Sequence, residues 1–220
     1  MSKVLIALAS PILLGAGVAA ALLGPADPAV AQQQPAASAA AQPEDARAVQ
    51  PDDHVLGKAD APVTIIEYAS LTCPHCAHFH EDTLPKLKAD YIDTGKVKLV
   101  FRDFPLDKVA LQASTLAECV PAERYFGFLG VLFQSQSNWA TASDPTAALV
   151  RLGKVGGLSA EQIDACFKDE RLTDAIVAER LAGEKAFDIR STPSFIIGGK
   201  KYSGALTFEQ VQDLLKPLLP

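Results

Sequence analysis

The stretch Val63-Thr64-Ile65-Ile66-Glu67-Tyr68-Ala69-Ser70-Leu71-Thr72-Cys73-Pro74-His75-Cys76 decides how this chain is read. Residues 63–69 are β-branched, apolar or aromatic with the single exception of Glu67. The run is short and bounded by Pro62 and Ser70, the pattern of a buried strand. From about Cys73 to Tyr91, Phe79, Leu84, Leu87 and Tyr91 recur at helix-compatible intervals, and Pro85 predicts a kink among them. Val97-Lys98-Leu99-Val100-Phe101-Arg102 reads as a second strand. Strand, helix and strand with so long a connection make a parallel crossover.

Downstream, from Asp107 to about Phe187, the pattern is helical, with breaks at Pro121, Pro145 and Gly156-Gly157 and an N-cap at Ser159. Ser194-Phe195-Ile196-Ile197 then runs into Gly198-Gly199 and Lys201-Tyr202-Ser203, a hairpin signal. Thr207 caps a last helix, Phe208 to Leu215. The predicted class is α/β, in the order β-α-β, helical block, β-β-α.

Upstream, Lys3 precedes an apolar run from Val4 to Leu23, and Ala29-Val30-Ala31 gives the small-x-small pattern that a signal peptidase accepts. Residues 1–31 read as an export signal. The run is about 20 residues, so an uncleaved membrane anchor is the alternative; Pro11, Gly15 and Gly17 weaken it as a rigid span. Either way the rest of the chain is expected outside the cytoplasm, in a periplasmic or other extracytoplasmic space. Residues 32–52, rich in Ala, Gln and Pro, have little apolar surface to bury and read as a linker, with the folded domain over 53–220. Pro35, Pro43 and Pro51 interrupt the alternative, a short helix that assembles subunits. The chain of 220 residues is 49% hydrophobic, enough for one core. Its net charge of −6 argues against nucleic acid or an anionic membrane surface as the main partner, and leaves proteins.

A C-x-x-C at the start of a helix that follows a buried strand has an electrostatic consequence. The Cys73 sulfur faces unsatisfied N–H groups of the first helical turn, which favour thiolate over thiol. His75 can add a hydrogen bond or a positive charge. Each unit by which the thiol pKa falls stabilises the reduced form by about 1.4 kcal/mol, or roughly 30 mV in a two-electron couple. The competing reading is a zinc half-site, because His75, His78 and His80 are close by, but no second C-x-x-C or H-x3-5-H pair follows at a finger-like distance. A c-type haem site needs His directly after Cys76, and position 77 is Ala. His78 and His80 are expected to face solvent, and neither metal nor cofactor is expected.

Cys73-Pro74-His75-Cys76 resembles the active site of the DsbA-like thiol:disulfide oxidoreductases, and the resemblance runs from about Val55 to Leu219. It implies a thioredoxin-like fold with a helical insertion, here about 107–187. It implies that Pro193 follows a cis peptide bond and shapes the substrate surface, with the Thr192 backbone receiving an extended chain. Taken alone, Thr-Pro before a strand is an ordinary turn. It also implies that Glu67 is a buried acid that carries a proton to or from Cys76; a Glu reaching solvent at a strand edge is the bland alternative. The implied partners are folding secreted proteins with free thiols and a membrane redox partner.

Cys119 and Cys166, 47 residues apart, fall in two segments of the helical block. In an oxidising compartment they are expected to be bridged, with separate buried thiols as the alternative. Three other functions stay open. By the same resemblance, Thr rather than Val before Pro193 points toward a disulfide isomerase or reductase, since oxidases of the family often have Val there. A metal-delivery module would use the thiolates and a His, and a redox-inactive peptide binder would not need Cys73.

Overall fold

The apolar run around Glu67 becomes the middle of a five-stranded sheet because it is covered on both faces. The structure, a computed structural model, describes residues 45–220. Strand β2 (Val63–Ala69) pairs in parallel with β3 (Val97–Asp103) and antiparallel with β4 (Ser194–Ile197). A short β1 (His54–Leu56) lies antiparallel on the outer side of β3, and β5 (Lys200–Ser203) closes the other edge, giving the order β1-β3-β2-β4-β5. The predicted hairpin is β4 and β5; Gly198 and Gly199 turn it at φ 55° and 75°, a left-handed conformation that glycine adopts without a Cβ clash. The strand β1 was not legible: three residues are too few to show an alternation.

On one face, Val63, Ile65, Leu99 and Phe195 pack against Phe79, Leu84 and Leu87 of the crossover and Val211 and Leu215 of α9 (Phe208–Leu215). On the other, Ile66, Tyr68, Val100 and Ile196 pack with Phe104 and Ile189. The insertion comprises α3 (Lys108–Glu118), α4 (Tyr125–Gln134), α5 (Gln136–Ala140), α6 (Pro145–Val155), α7 (Ala160–Phe167) and α8 (Glu170–Phe187), and a third cluster is built largely from α3 to α7. Leu116, Leu132, Phe133, Trp139 and Ile163 form its centre, and Cys73, Cys76 and Leu71 belong to the same cluster. The reactive loop thus rests on the insertion's core.

The helix expected from Cys73 to Tyr91 runs from Pro74 to Ile92 as alternating turns: α1 (Pro74–His78), a π turn (Phe79–Thr83), α2 (Leu84–Leu87) and a second π turn (Lys88–Ile92). Pro85 explains the first wide turn. Leu84 donates to the Phe79 carbonyl five residues back, so helical bonding restarts with Pro85 in an opening turn, where a missing N–H costs little.

Residues upstream of the Asp53 expected from composition are held against the domain, and the reason is Arg102. This side chain is buried and uses its whole donor fork. Nε and Nη2 donate to Asp53 at 2.8 Å each, Nη1 to the Ala46 carbonyl at 2.5 Å and the Tyr68 hydroxyl at 3.0 Å, and Nη2 also to the Ala48 carbonyl at 2.9 Å. The last part of the expected linker is therefore strapped to β3. The export signal or anchor over 1–31, and the linker up to residue 44, lie outside the described residues. Among the described residues no helix is long and apolar enough to cross a membrane.

Candidate active site

Strand β2 ends at Ala69, and the loop Ser70–Thr72 delivers Cys73 to the N-cap of α1. Cys73 N–H donates to the Ser70 carbonyl at 3.0 Å, and the Cys73 carbonyl accepts from the N–H of Cys76 at 3.1 Å and of Ala77 at 3.2 Å. The insertion holds the loop from the other side. Gln136 Nε2 donates to the carbonyls of Leu71 at 2.8 Å and Cys73 at 3.0 Å. The Thr72 hydroxyl donates to Asp107 at 2.6 Å, and the same Asp107 caps α3 by accepting from Ala110 N–H. Gln136 carried no signal in the sequence, since its partners lie more than sixty residues away.

Cys73 and Cys76 are both reduced and both buried. Their thiols are driven in opposite directions. The Cys73 pKa falls to about 5, first because the Cys76 thiol donates to its sulfur; burial opposes this, while the Thr192 side chain and the backbone N–H groups of Cys76 and His75 reinforce it. The Cys76 thiol is pushed far up by burial, by the hydrogen bond it gives to Cys73, and by the negative charge of Glu67. The His75 side chain is on the exposed surface of α1, and its backbone N–H is one of the groups that lower the Cys73 pKa.

Thr192-Pro193 is a cis peptide at the entrance to β4, 119 residues from Cys73 in sequence and beside it in space: as a thiol, Cys73 Sγ donates to the Thr192 carbonyl at 3.3 Å. The Thr192 hydroxyl is buried beside the same sulfur.

Glu67 lies on the face of β2 that also carries Val63 and Ile65, fully buried, not at a solvent-facing edge. Its partner overturns one expectation. The His80 side chain is 4% exposed instead of solvent-facing, and its Nε2 donates to both Glu67 oxygens at 3.1 and 3.0 Å. His78, by contrast, is exposed and pairs with Asp82 one turn on. A buried histidine was missed because its carboxylate comes from another element, thirteen residues earlier.

Cys119 and Cys166 form a disulfide of 2.01 Å that joins the C-cap of α3 to α7. Among the described residues no group of three or more His, Cys, Asp and Glu is arranged to hold a metal ion.

The thioredoxin family profile matches residues 49–217. The chain is similar to the crystal structure of Wolbachia pipientis alpha-DsbA1, with a TM-score of 0.75 and 32% identity over 80% of this chain and 96% of that one. It is 34% identical over 69% of its length to a Rickettsia bellii protein provisionally named a protein-disulfide oxidoreductase. It is 26% identical to disulfide bond formation protein D of Bacillus subtilis, over 74% of this chain and 75% of that protein. The matched region spans 59% of the Rickettsia bellii protein and 55% of its Rickettsia typhi counterpart. With a reactive C-x-x-C loop on a thioredoxin-like sheet, a helical insertion and a Thr-Pro loop against the first sulfur, the chain belongs to the thioredoxin family, among its DsbA-like thiol:disulfide oxidoreductases.

Proposed function

We propose that this protein is exported and donates the Cys73–Cys76 disulfide to folding secreted proteins. A substrate thiolate attacks Cys73, forming a mixed disulfide as the Cys73–Cys76 bond breaks and Cys76 leaves. A second substrate thiolate then attacks the substrate sulfur and expels Cys73 as thiolate. The substrate is oxidised by two electrons and the enzyme is left as the dithiol, to be reoxidised by a membrane partner. Residues 1–31 supply the export signal, and the Thr192-Pro193 loop receives the substrate backbone.

The observation that carries this reading is the opposite treatment of the two sulfurs. Cys73 ionises at about 5, so it is a good leaving group and its reduced form is stabilised, as an oxidant requires. Cys76 is held as a thiol and does not compete for substrate. The test is the redox state of the pair trapped in living cells by acid quench and alkylation: a donor is mostly oxidised.

A second reading, a disulfide isomerase or reductase, is favoured by one residue, Thr192 before Pro193. On that reading the trapped pair is mostly reduced and its potential lies below about −200 mV.

A further inference from the structure

The negative charge of Glu67 acts on the Cys76 sulfur, and the Glu67 carboxylate is itself sealed in the core. The residue that touches both of its oxygens is His80, whose ring is sandwiched by apolar groups: 4.2 Å from the Phe133 ring centroid, 5.8 Å from that of Phe101 and 5.8 Å from that of Phe79. An imidazole held at this depth only for packing would be better replaced by another phenyl ring. We propose that His80 is a positioning residue for the exchange reaction: through Glu67 it stores the proton that the Cys76 leaving group takes up. The inference rests on the disulfide-exchange reading above.

The step balances. When a substrate thiolate attacks Cys73, the S–S bond breaks and its electron pair stays on Cys76 as a thiolate. That thiolate sits in a site that strongly disfavours the anion, both by burial and by the Glu67 charge. The one proton held by the His80–Glu67 pair passes through Glu67 to the Cys76 sulfur, which leaves a thiol, a carboxylate and a neutral imidazole. On reoxidation the proton returns along the same route. No other co-reactant is needed.

The surroundings leave few rivals for the role. The neighbours of Glu67 across the sheet are Phe101 on β3 and Phe195 on β4, both apolar. From α1 the titratable group facing Glu67 is Cys76, with Cys73 beyond it. From α4 it is the buried Tyr125 phenol, which feels the Glu67 charge and is pushed up well above the usual tyrosine range, first by burial. Tyr125 is thus not a proton donor near neutral pH, and His80 is the base in direct contact.

The test is the single-turnover rate at which a cysteine peptide reduces the Cys73–Cys76 disulfide, followed from pH 5 to 9. His80→Gln is expected to slow the step about tenfold above neutral pH and to change the shape of its pH profile, while the ionisation of Cys73 stays as in the wild type. His78→Gln, on the exposed side of the same helix, is the control. A variant that loses thermal stability but keeps the wild-type rate and profile makes His80 a packing residue and overturns the proposal. Should His80→Gln not fold, histidine ring NMR of the unmodified protein decides: His80 is expected to differ in protonation between the oxidised and dithiol forms at one pH. The same state in both forms overturns the proposal. If the wild type itself shows no exchange, the functional reading fails before this one is reached.

Discussion

The protein holds two pairs of cysteines that its architecture treats in opposite ways. Cys119 and Cys166 join two helices of the insertion and close a long loop; their value is to the fold. Cys73 and Cys76 sit on one helical turn, where closing a ring of a few residues restrains the unfolded chain little. Their surroundings are spent on making the two sulfurs unequal instead. One receives donors from Cys76, Thr192 and the first-turn amides, and the other faces the charge of a buried carboxylate. The same bond type becomes a brace or a reagent according to whether its environment distinguishes the two ends.

The contrast can be broken at either pair. Cys73→Ser is expected to lower peptide-thiol oxidation by at least about 10³-fold with little change in melting temperature, because a hydroxyl does not replace the thiolate. The reverse pattern is expected for the double variant Cys119→Ala, Cys166→Ala. It loses roughly 2–4 kcal/mol of stability in a denaturant titration and retains the exchange rate of the wild type. Equal loss of activity in the two variants would dissolve the distinction.

A smaller effect tests how the insertion meets the sheet. Asp103, at the end of β3, accepts from the Ser114 hydroxyl of α3, and burial raises its pKa to about 7 despite that bond, with Glu118 raising and His54 lowering it. A carboxyl group raised on folding favours the native state at low pH. That contribution is complete below the unfolded value near 3.9 and is lost as pH rises through about 7. Asp103→Asn removes the penalty, so the variant is expected to gain on the order of 2 kcal/mol relative to the wild type at pH 8 and to show a flatter profile between pH 4 and 8. Glu179, also pushed up by burial and by Asp103, keeps some slope in both proteins.

Local signals were legible, and long-range pairings were not. The caps at Ser159 and Thr207 form full capping boxes with Gln162 and Gln210, because a cap and its partners lie within three residues. The apolar run of β2 and the glycines of the β4–β5 turn were readable for the same reason. The Arg102 anchor spans about fifty residues to Asp53 and Ala46, Gln136 reaches back to the reactive loop, and the Glu67–His80 contact joins a strand to a helix. None of these leaves a periodic trace. The site was half legible: C-x-x-C carries its own chemistry, whereas the amide clamp and the buried imidazole exist only after the insertion has folded onto the sheet.

The asymmetry of the reactive pair is tested most directly by the ultraviolet absorbance of thiolate in the reduced protein, titrated with the Cys119–Cys166 bridge intact. The account predicts one thiolate appearing with a midpoint at about 5 and the second thiol silent across the neutral range. A single midpoint near 8.5, the value of an unperturbed cysteine, would contradict it.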